Sequence, residues 1–389
     1  MKVVMVKYFF DTDANYQITE MAKVWPEQHE LIIITTKYLD YVHKHYDDNQ
    51  KIKDEIFEKK YGVKIIRLDC WLRIGTRVLF KKLKNTVDEI SPDVLFIHGI
   101  GDFNDIFYLY GKNKYLTFRD CHMSWIASKN KLAKFYYKFY SFLFAPIINK
   151  FNKYELVYAL GVEEKEYLNA LGISNRKIFM LPHGYNKDNY YISSTIRNNG
   201  RKELLLSEND ILITYTGKFD FSKLPHLNFN IYNNFSDDFV SKYNIKFLFI
   251  GHKNNEYYNT IFLKELDKFK YKDKVIILPG IPGDELVKIY NSSDICLWPK
   301  ETTLSSIHAQ VCGCKVIMEN HTSNKERVID NNNLFEINNI DDAFEKLRAL
   351  IINKEIGNKI ELSSIKDREY TYQVKKMLES WEILLNNNN

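Results

Sequence analysis

One loop in the second half of the chain brings a glycine and two lysines together. Gly217, Lys218 and Lys223 follow the apolar segment Ile211–Tyr215. A glycine lets the backbone turn tightly beside a ligand, and two ammonium groups at this spacing can both face a diphosphate. Because a solvated loop with two surface lysines would look the same, the pair indicates a phosphate site only together with its neighbours.

A second loop, after the apolar segment Ile295–Trp298, carries an acid and several hydroxyl groups. Hydroxyl residues ahead of an apolar-periodic run predict the start of a helix, here at Thr303, Leu304 and Ser305. Free N–H groups and the helix dipole at such a start favour phosphate oxygens. Glu301, just before it, can accept hydrogen bonds from the hydroxyls of a sugar. The pattern also fits an ordinary strand–loop–helix connection without a ligand.

Polar side chains also follow two apolar segments in the first half of the chain. His122 comes two residues after Asp120, next to Arg119, and the run His98–Gly101 follows an earlier segment. Both Arg119 and His122 could reach a cleft at the carboxyl edge of a sheet. A single histidine is usually structural, so a catalytic role and a structural role for His122 both stay open.

These residues need a scaffold, and short apolar runs alternate with helical segments along the whole chain. Runs that are apolar on both faces are typical of parallel strands covered on both sides, and the alternation predicts repeated βα units. The runs are Val3–Val6, Leu31–Thr35, Lys64–Leu68, Val94–His98, Tyr115–Phe118, Leu156–Leu160, Ile178–Leu181, Ile211–Tyr215, Phe247–Ile250, Val275–Leu278, Ile295–Trp298, Val316–Met318 and Leu334–Ile337. The clearest helices are Ile18–Val24, Glu163–Leu171, Asp284–Ser292 and Asp341–Ile352.

The chain length predicts two domains rather than one. With 389 residues, 45% of them apolar, the chain can bury two ordinary cores. The segment Pro182–Gly200 is polar and poor in apolar residues, which is typical of a linker. We therefore expect an N-terminal domain over 1–185 and a C-terminal domain over 186–368. The amphipathic stretch Glu369–Leu385 predicts a helix that returns to the first domain, so that 369–389 belong to it.

Charge and cysteine content exclude several classes of protein. A net charge of +5 is too small to indicate nucleic acid as a partner. The five cysteines are scattered, as reduced thiols of a cytosolic protein are, and Cys312 and Cys314 lack zinc-site spacing, so no metal site is predicted. No stretch has the length of a signal peptide core or of a transmembrane helix. We therefore expect a cytoplasmic protein, soluble or peripheral at the inner face of the plasma membrane.

The segment Lys131–Tyr154 combines lysines with many phenylalanines and tyrosines. A basic helix rich in aromatic residues is typical of contact with an anionic membrane or with a lipid acceptor. A core helix with a solvated lysine edge would have the same composition. Pro146 should bend or interrupt the helix.

The order and spacing of the segments resemble the retaining glycosyltransferases of family 4, within the glycosyl transferases group 1, which have the GT-B fold. Gly217-Lys218 with Lys223 resembles the family's diphosphate loop, and Phe249–Gly251 its strand-ending glycine. Val275–Gly280 resembles its base-side loop, and Lys300–Ile317 its paired-glutamate helix. The likeness is close over 155–340 and loose over 1–150. It implies two Rossmann-like α/β domains that face each other across a cleft.

The resemblance implies a set of site residues, although two positions depart from the family pattern. The catalytic candidates are Glu301, Lys218, Lys223 and His122. The donor-binding candidates are Gly217, Lys218, Lys223, Gly280, Ile281, Glu301, Thr303, Leu304, Ser305 and His308. His308 stands where the family has its ribose-binding glutamate, and Lys300 or Glu301 stands at the first glutamate, of which Glu301 is preferred. The glycine pair after the first strand is absent, with Phe10–Asn15 in its place.

The resemblance implies a hexosyltransferase that moves a sugar from a nucleoside-diphosphate sugar to a hydroxyl of a glycan or lipid-linked acceptor, with retention, in surface polysaccharide or lipopolysaccharide biosynthesis. The donor would be a UDP or GDP sugar, and no further cofactor is expected. Two alternatives stay open. One is a non-catalytic GT-B relative that acts as a partner or scaffold, which the departures favour, and the other is a nucleotide-sugar epimerase.

Overall fold

A computed structural model describes residues 1–14, 16–39, 46–74, 77–102, 104–111, 113–123, 133–151, 153–300, 303–353 and 362–388. The strands are β1 Lys2–Val6, β2 Glu30–Thr36, β3 Lys64–Leu68, β4 Cys70–Ile74, β5 Arg77–Phe80, β6 Val94–Ile97, β7 Leu116–Cys121, β8 Val157–Ala159, β9 Ile178–Met180, β10 Ile211–Thr216, β11 Ile245–Gly251, β12 Val275–Pro279, β13 Ile295–Trp298, β14 Lys315–Glu319 and β15 Leu334–Phe335. The helices are α1 Gln17–Lys23, α2 Asp48–Tyr61, α3 Leu83–Ile90, α4 Asn104–Tyr110, α5 Ala133–Leu143, α6 Ala145–Phe151, α7 Val162–Ala170, α8 Ser194–Glu203, α9 Leu227–Tyr232, α10 Asp237–Lys242, α11 Asn255–Tyr257, α12 Leu263–Lys268, α13 Leu286–Ser292, α14 Ser305–Val311, α15 Thr322–Lys325, α16 Ile340–Ile352 and α17 Tyr370–Asn388.

The chain forms two α/β units. Unit 1 comprises Met1–His183 together with Tyr370–Asn389, and unit 2 comprises Gly184–Glu369. The sequence predicts the boundary between residues 185 and 186, and the structure divides the chain between His183 and Gly184. Each unit is built on a parallel sheet covered by helices, the arrangement expected for strands that are apolar on both faces.

Unit 1 contains a seven-stranded parallel sheet in the order β3-β2-β1-β6-β7-β8-β9. The chain reverses its direction of winding at β1, which pairs with β2 on one side and β6 on the other. In such sheets ligands bind outside the carboxyl ends of the strands at this switch point. The carboxyl ends of β1, β6 and β7 therefore mark the place in unit 1 where a ligand is expected.

The C-terminal helix α17 completes the core of unit 1. The indole of Trp381 is fully buried and stacks on Phe118, with ring centroids 5.0 Å apart. Its Nε1 donates a hydrogen bond to the hydroxyl of Tyr158 at 2.8 Å. Val374 and Leu378 are buried on the same side of the helix, so an apolar stripe joins the last element of the chain to the first unit.

The antiparallel hairpin of β4 and β5 is an element that the sequence analysis did not predict. It lies outside the main sheet, and Trp71 on β4 has 72% of its surface exposed. No residue of β4 is buried, and β5 alternates between more exposed and buried positions, so neither strand forms a continuous apolar run that would indicate a strand in the sequence.

Unit 2 contains a six-stranded parallel sheet in the order β12-β11-β10-β13-β14-β15. Its switch point lies at β10, which pairs with β11 and β13. The segment with Gly217, Lys218 and Lys223 follows β10, and the segment that leads to α14 follows β13. They therefore leave the sheet at neighbouring carboxyl ends, where a ligand of unit 2 is expected.

The prediction that 182–200 form a linker is wrong for the second part of that segment. Ser193 caps helix α8 by accepting a hydrogen bond from the N–H of Ile196 at 3.3 Å. Gly200 of this helix fits closely against Ser292 and Lys288 of α13. The segment looked like a linker because α8 is polar, with one narrow face turned to its neighbour.

The basic aromatic segment forms two helices, α5 and α6, with the break at Phe144. Pro146 is the second residue of α6, where the missing N–H costs no helical hydrogen bond. Among the described helices, none combines the length and the apolar composition that crossing a bilayer requires.

Candidate active site

The ends of β10 and β11 approach so closely that only glycine fits between them. A Cβ atom added to Gly251 would lie 1.6 Å from the carbonyl oxygen of Gly217. The N–H of Gly217 donates to the carbonyl of Ile250 at 2.9 Å, and Gly217 has a φ of +153°, which favours glycine. This pair of glycines fixes the start of the lysine loop.

The lysine loop is held by a carboxylate at its turn. Asp220 Oδ1 accepts hydrogen bonds from the N–H of Ser222 at 2.9 Å and the N–H of Lys223 at 3.0 Å. Burial alone would raise the pKa of Asp220, but a hydrogen bond from the Ser222 hydroxyl at 2.7 Å and the two backbone N–H groups hold it below its ordinary value. The carbonyl of Lys218 accepts from the hydroxyl of Tyr215 at 2.8 Å, while the Lys218 side chain is exposed. The backbone between the two lysines is thereby fixed, although roles for their ammonium groups stay a prediction.

A buried tyrosine connects the end of β10 with the start of α14. The hydroxyl of Tyr290 lies 3.0 Å from Thr216 Oγ1 and also hydrogen-bonds with Ser305. The indole Nε1 of Trp298 donates to the carbonyl of Thr216 at 2.7 Å. The residues before the lysine loop and the first residue of α14 therefore share one hydrogen-bonded network, which the sequence analysis did not predict.

The loop before α14 contains two of the predicted donor-binding residues, Thr303 and Leu304. Thr303 Oγ1 accepts from the N–H of Ser305 at 3.2 Å, and the Thr303 carbonyl accepts from Ser306 Oγ at 2.8 Å. Thr303, Leu304 and Ser305 are half-buried. The predicted acid Glu301 lies outside the residues that the structure describes, so its role stays a prediction.

The other residue considered for the first glutamate position, Lys300, forms a buried ion pair. Its ammonium lies 2.5 Å from Oε1 of Glu319, and His321 Nε2 lies 3.0 Å from the other carboxylate oxygen. Burial would raise the pKa of Glu319, but its hydrogen bonds with His321 and Lys300 lower it. Lys300 is therefore engaged within unit 2.

His308 packs inside unit 2, a placement that its sequence position did not indicate. Its side chain is only 8% exposed, and its ring stacks on Tyr190 with centroids 3.9 Å apart. It also hydrogen-bonds with the backbone of Gly184. Burial lowers the pKa of His308 from 6.5 to about 4, so the imidazole is neutral at pH 7. A neutral buried ring is a different group from the ribose-binding glutamate that the family pattern has at this position.

Gly280 and Ile281 are half-buried after β12, on the same carboxyl edge as the lysine loop. A Cβ atom at Gly280 would lie 2.6 Å from ring atoms of His252, so a larger residue there would displace the exposed imidazole. The carbonyl of His252 in turn accepts from the N–H of Phe219 in the lysine loop at 2.9 Å. His252 thus joins two predicted donor-binding segments, and no motif in the sequence singled it out.

In unit 1, two histidines converge on one aspartate at the carboxyl ends of β6 and β7. Asp120 Oδ2 lies 2.5 Å from His98 Nδ1 and 3.0 Å from His122 Nε2, and the two ring nitrogens are 3.1 Å apart. Asp120 Oδ1 accepts from the N–H of Gly99 at 2.5 Å. Burial would raise the pKa of Asp120, but the two histidines lower it far below its ordinary value. Three such donor atoms, all within 4.8 Å of one another, can also hold a metal ion.

The two cleft candidates next to Asp120 have different surroundings. His122 has 30% of its side chain exposed, and it lines a cavity of about 330 Å³ together with Lys7 and Arg77. Arg119 is fully buried and pairs with Asp102 at 2.8 Å and with Asp105 at 3.4 Å. The expectation that Arg119 could reach a cleft is therefore wrong, because its guanidinium neutralises two buried acids.

The comparisons with known proteins add a family and a fold. Residues 196–367 match the family described as glycosyl transferases group 1. The chain is similar in structure to HepE of Anabaena, solved with UDP and glucose, at 11% identity and a TM-score of 0.71 over 98% of this chain and 99% of that one. It is also similar to a Rickettsia africae glycosyltransferase, at 14% identity and a TM-score of 0.73 over 99% of each chain.

A third solved structure is similar over almost the whole chain. WaaG, a glycosyltransferase involved in lipopolysaccharide biosynthesis, shares 12% identity and a TM-score of 0.62, with 99% of this chain and 98% of that one covered. No curated protein sequence matches the chain. Residues 196–367 therefore match a glycosyl transferases group 1 domain, and the chain as a whole has the GT-B fold.

Proposed function

We propose that the protein moves a hexose from a nucleoside-diphosphate sugar to a hydroxyl of a glycan or lipid-linked acceptor, with retention of configuration. The group 1 match over unit 2 carries the proposal, together with the glycine-bounded lysine loop at the switch point of that unit. HepE, which has the same fold, was solved with UDP and glucose, and this favours a UDP sugar as donor.

In this proposal unit 2 stabilises the leaving diphosphate. Negative charge builds on the leaving oxygen as the bond to the sugar breaks, and Lys218 and Lys223 would lie beside it. The N–H groups of Thr303 and Leu304, just before α14, would add donors, whereas the N–H of Ser305 already donates to Thr303 Oγ1 at 3.2 Å. Glu301 would orient the sugar through its hydroxyls.

In unit 1 we propose His122 as the catalytic residue near the reacting sugar. It is the partly exposed member of the His98–Asp120–His122 cluster, and it lines a cavity large enough for a sugar hydroxyl and its neighbours. Asp120 holds the imidazole through Nε2, so the orientation of the ring is fixed before substrate arrives.

We further propose a role in surface polysaccharide or lipopolysaccharide assembly at an anionic membrane. Support comes from the fold shared with WaaG and from helix α5. On α5, Phe135 and Phe142 expose 74% and 78% of their surface, and Lys134 and Lys138 are exposed beside them. Aromatic side chains and lysines on one helix are typical of a contact with anionic lipid headgroups.

The donor site is tested by replacing one of its lysines. Lys223→Ala should weaken UDP binding about tenfold or more, since a charge-assisted hydrogen bond to phosphate contributes roughly 1.5–3 kcal/mol. Titration calorimetry with UDP measures the change. Lys264→Ala is the matched control, because it removes an exposed lysine from α12 of the same unit. Unchanged UDP affinity in Lys223→Ala would remove the loop from the donor site.

A non-catalytic role as a partner of another transferase is the second candidate, and the burial of His308 is the observation that favours it. With the ribose-binding acid replaced by a neutral core histidine, the donor could fail to bind. A thermal shift panel of UDP, GDP and ADP sugars separates the two, since a scaffold shows no stabilisation by any of them. Product analysis without an acceptor would reveal an epimerase.

A further inference from the structure

The cavity beside His122 in unit 1 is lined by Lys7, whose ammonium group has no described acid within ion-pair distance. Lys7 follows β1 at the switch point, and its side chain is half-buried. It forms no hydrogen bond or ion pair through its side chain with any residue that the structure describes. Burial lowers the pKa of Lys7 to about 8, with Asp120 opposing the shift. A partly desolvated cation of this kind favours an anionic ligand.

The acids around this cavity are already engaged. Asp102 pairs with Arg119 at 2.8 Å and also accepts a hydrogen bond from the hydroxyl of Tyr8. Asp120 is shared between the two histidines. The charge available to a ligand in the cavity is therefore the positive charge of Lys7 and of the exposed Arg77, which both line it.

An apolar groove adjoins the charged cavity. The groove has a volume of about 340 Å³, and it shares Arg77 and Asp102 with the cavity. Its other walls are mainly apolar and include Ile106, Phe139 and Phe144. Phe139 lies on α5, so the groove runs from the cations toward the helix with the exposed aromatic side chains.

We propose that cavity and groove together bind an amphiphile, with a phosphoryl group at Lys7 and Arg77 and an apolar chain in the groove. A free phosphate would use only the cavity, and a neutral lipid only the groove. The arrangement of cations beside apolar walls matches a molecule that carries both. The inference rests on the proposed function in one respect, namely that this amphiphile is the lipid-linked acceptor of the transfer.

Decyl phosphate, kept below its critical micelle concentration, is the probe for this site. Calorimetry on the full chain should show binding that exceeds that of inorganic phosphate and of neutral decyl glucoside by about tenfold or more, because each lacks one half of the interaction. Equal binding of decyl glucoside would show that the cations do not contribute. Equal binding of inorganic phosphate would show that the groove does not.

Variants place the binding in unit 1. Lys7→Met and Phe139→Ser should each weaken decyl phosphate binding about tenfold, and Arg77→Met, at an exposed position, serves as a second charge variant if Lys7→Met does not fold. Lys51→Met, which removes an exposed lysine of α2, should bind as the unaltered chain does. Unchanged binding in both Lys7→Met and Arg77→Met overturns the proposal.

The same samples separate this inference from the proposed function. Lys223→Ala should keep its affinity for decyl phosphate, because Lys223 lies in unit 2. If decyl phosphate binds and UDP does not, the result supports the amphiphile site in unit 1 and contradicts the proposed donor site in unit 2. If UDP binds and decyl phosphate does not, the amphiphile site fails alone.

Discussion

His308 lies against the ring of Tyr190 in the interior of unit 2, at a place in the chain where the resembling family has an acid. The stack and the hydrogen bond with Gly184 connect α14 to the first residues of the unit. Since Tyr190 also donates to the carbonyl of Gly283 at 2.7 Å, the ring pair supports the loop on the far side as well. We infer that His308, from the interior of unit 2, stabilises the backbone segments that surround the proposed donor site.

Burial of His308 predicts a measurable dependence of stability on pH. The pKa of His308 is about 4 in the folded chain and near 6.5 in the unfolded chain. The unfolded state therefore takes up the proton first, and stability falls as the pH drops from 7 toward 4. Linkage gives a loss of about 2 kcal/mol by pH 5, or about 4–8 °C in Tm.

The measurement compares Tm at pH 7 and pH 5 for the unaltered chain and for His308→Gln. Glutamine stays neutral and can keep a hydrogen bond. Between pH 7 and pH 5, the Tm of His308→Gln should therefore fall by about 4–8 °C less than the Tm of the unaltered chain. His252→Gln, at an exposed histidine, is the control. Equal losses in the unaltered chain and His308→Gln would mean that His308 is protonated in the fold.

Residue roles differed in how far the sequence could predict them. Gly217 and the lysines were identified because glycine and charge next to an apolar run have a physical meaning without a structure. Tyr290 and Lys7 were missed, because a tyrosine in an apolar helix and a lysine at a strand end have no distinctive pattern. Arg119 was misjudged because its partners Asp102 and Asp105 lie distant in the chain from it and meet it only in the folded sheet.

At the scale of elements, the strands of both sheets fall on the apolar runs that the sequence shows. Lys64–Leu68 and Ile295–Trp298 have the predicted bounds, and the others differ from them by a few residues at their ends. Strands buried on both faces give the strongest signal a single sequence offers. The β4–β5 hairpin and α8 were missed, because one is half-exposed and the other is polar on most of its surface.

Helix α5 carries the prediction of membrane contact. The full chain should float with vesicles of phosphatidylglycerol and phosphatidylcholine, and rising salt should weaken this, since the Debye length falls from about 10 Å to about 3 Å between 0.1 and 1 M. The ammonium group of Lys153, by contrast, donates a hydrogen bond to the carbonyl of Gly111 at 2.7 Å. Lys153 therefore contributes less to the membrane contact than the sequence suggests.

A double replacement tests the aromatic part of this surface. Phe135→Ser with Phe142→Ser should reduce vesicle binding about tenfold or more, because burying each ring stabilises binding by roughly 1.5–3 kcal/mol. Leu205→Ser is the control, since Leu205 is an exposed apolar residue of unit 2. Full flotation of the double variant would place the membrane contact elsewhere or exclude it.

At the scale of the molecule, the chain consists of two units with separate cores, and the last helix belongs to the first of them. Sequence reasoning could anticipate two α/β units, because length and alternation of segments depend on no long-range detail. It could not predict which residues the Trp381 indole contacts, since Tyr158 and Phe118 are distant from Trp381 in the chain.

Trp381→Ala tests this division into units. Removal of a fully buried indole should destabilise unit 1 by about 3–5 kcal/mol. UDP affinity, which we assign to unit 2, should change little in the fraction that stays folded. Calorimetric unfolding with and without UDP measures both, and Tyr372→Ala, at an exposed ring of the same helix, is the control. If UDP affinity fell together with the stability of unit 1, the assignment of UDP binding to unit 2 would be contradicted.

The position of α17 after unit 2 in the chain has a consequence during translation. Strands β1 to β9 leave the ribosome early, but the helix that covers part of their core is synthesised only after all of unit 2. At a synthesis rate of about 5–20 residues per second, part of the apolar core of unit 1 stays uncovered for about 10–40 s. Unit 2, which is continuous in the chain, is fully synthesised before α17 begins. Unit 1 is thus begun before unit 2 and completed after it.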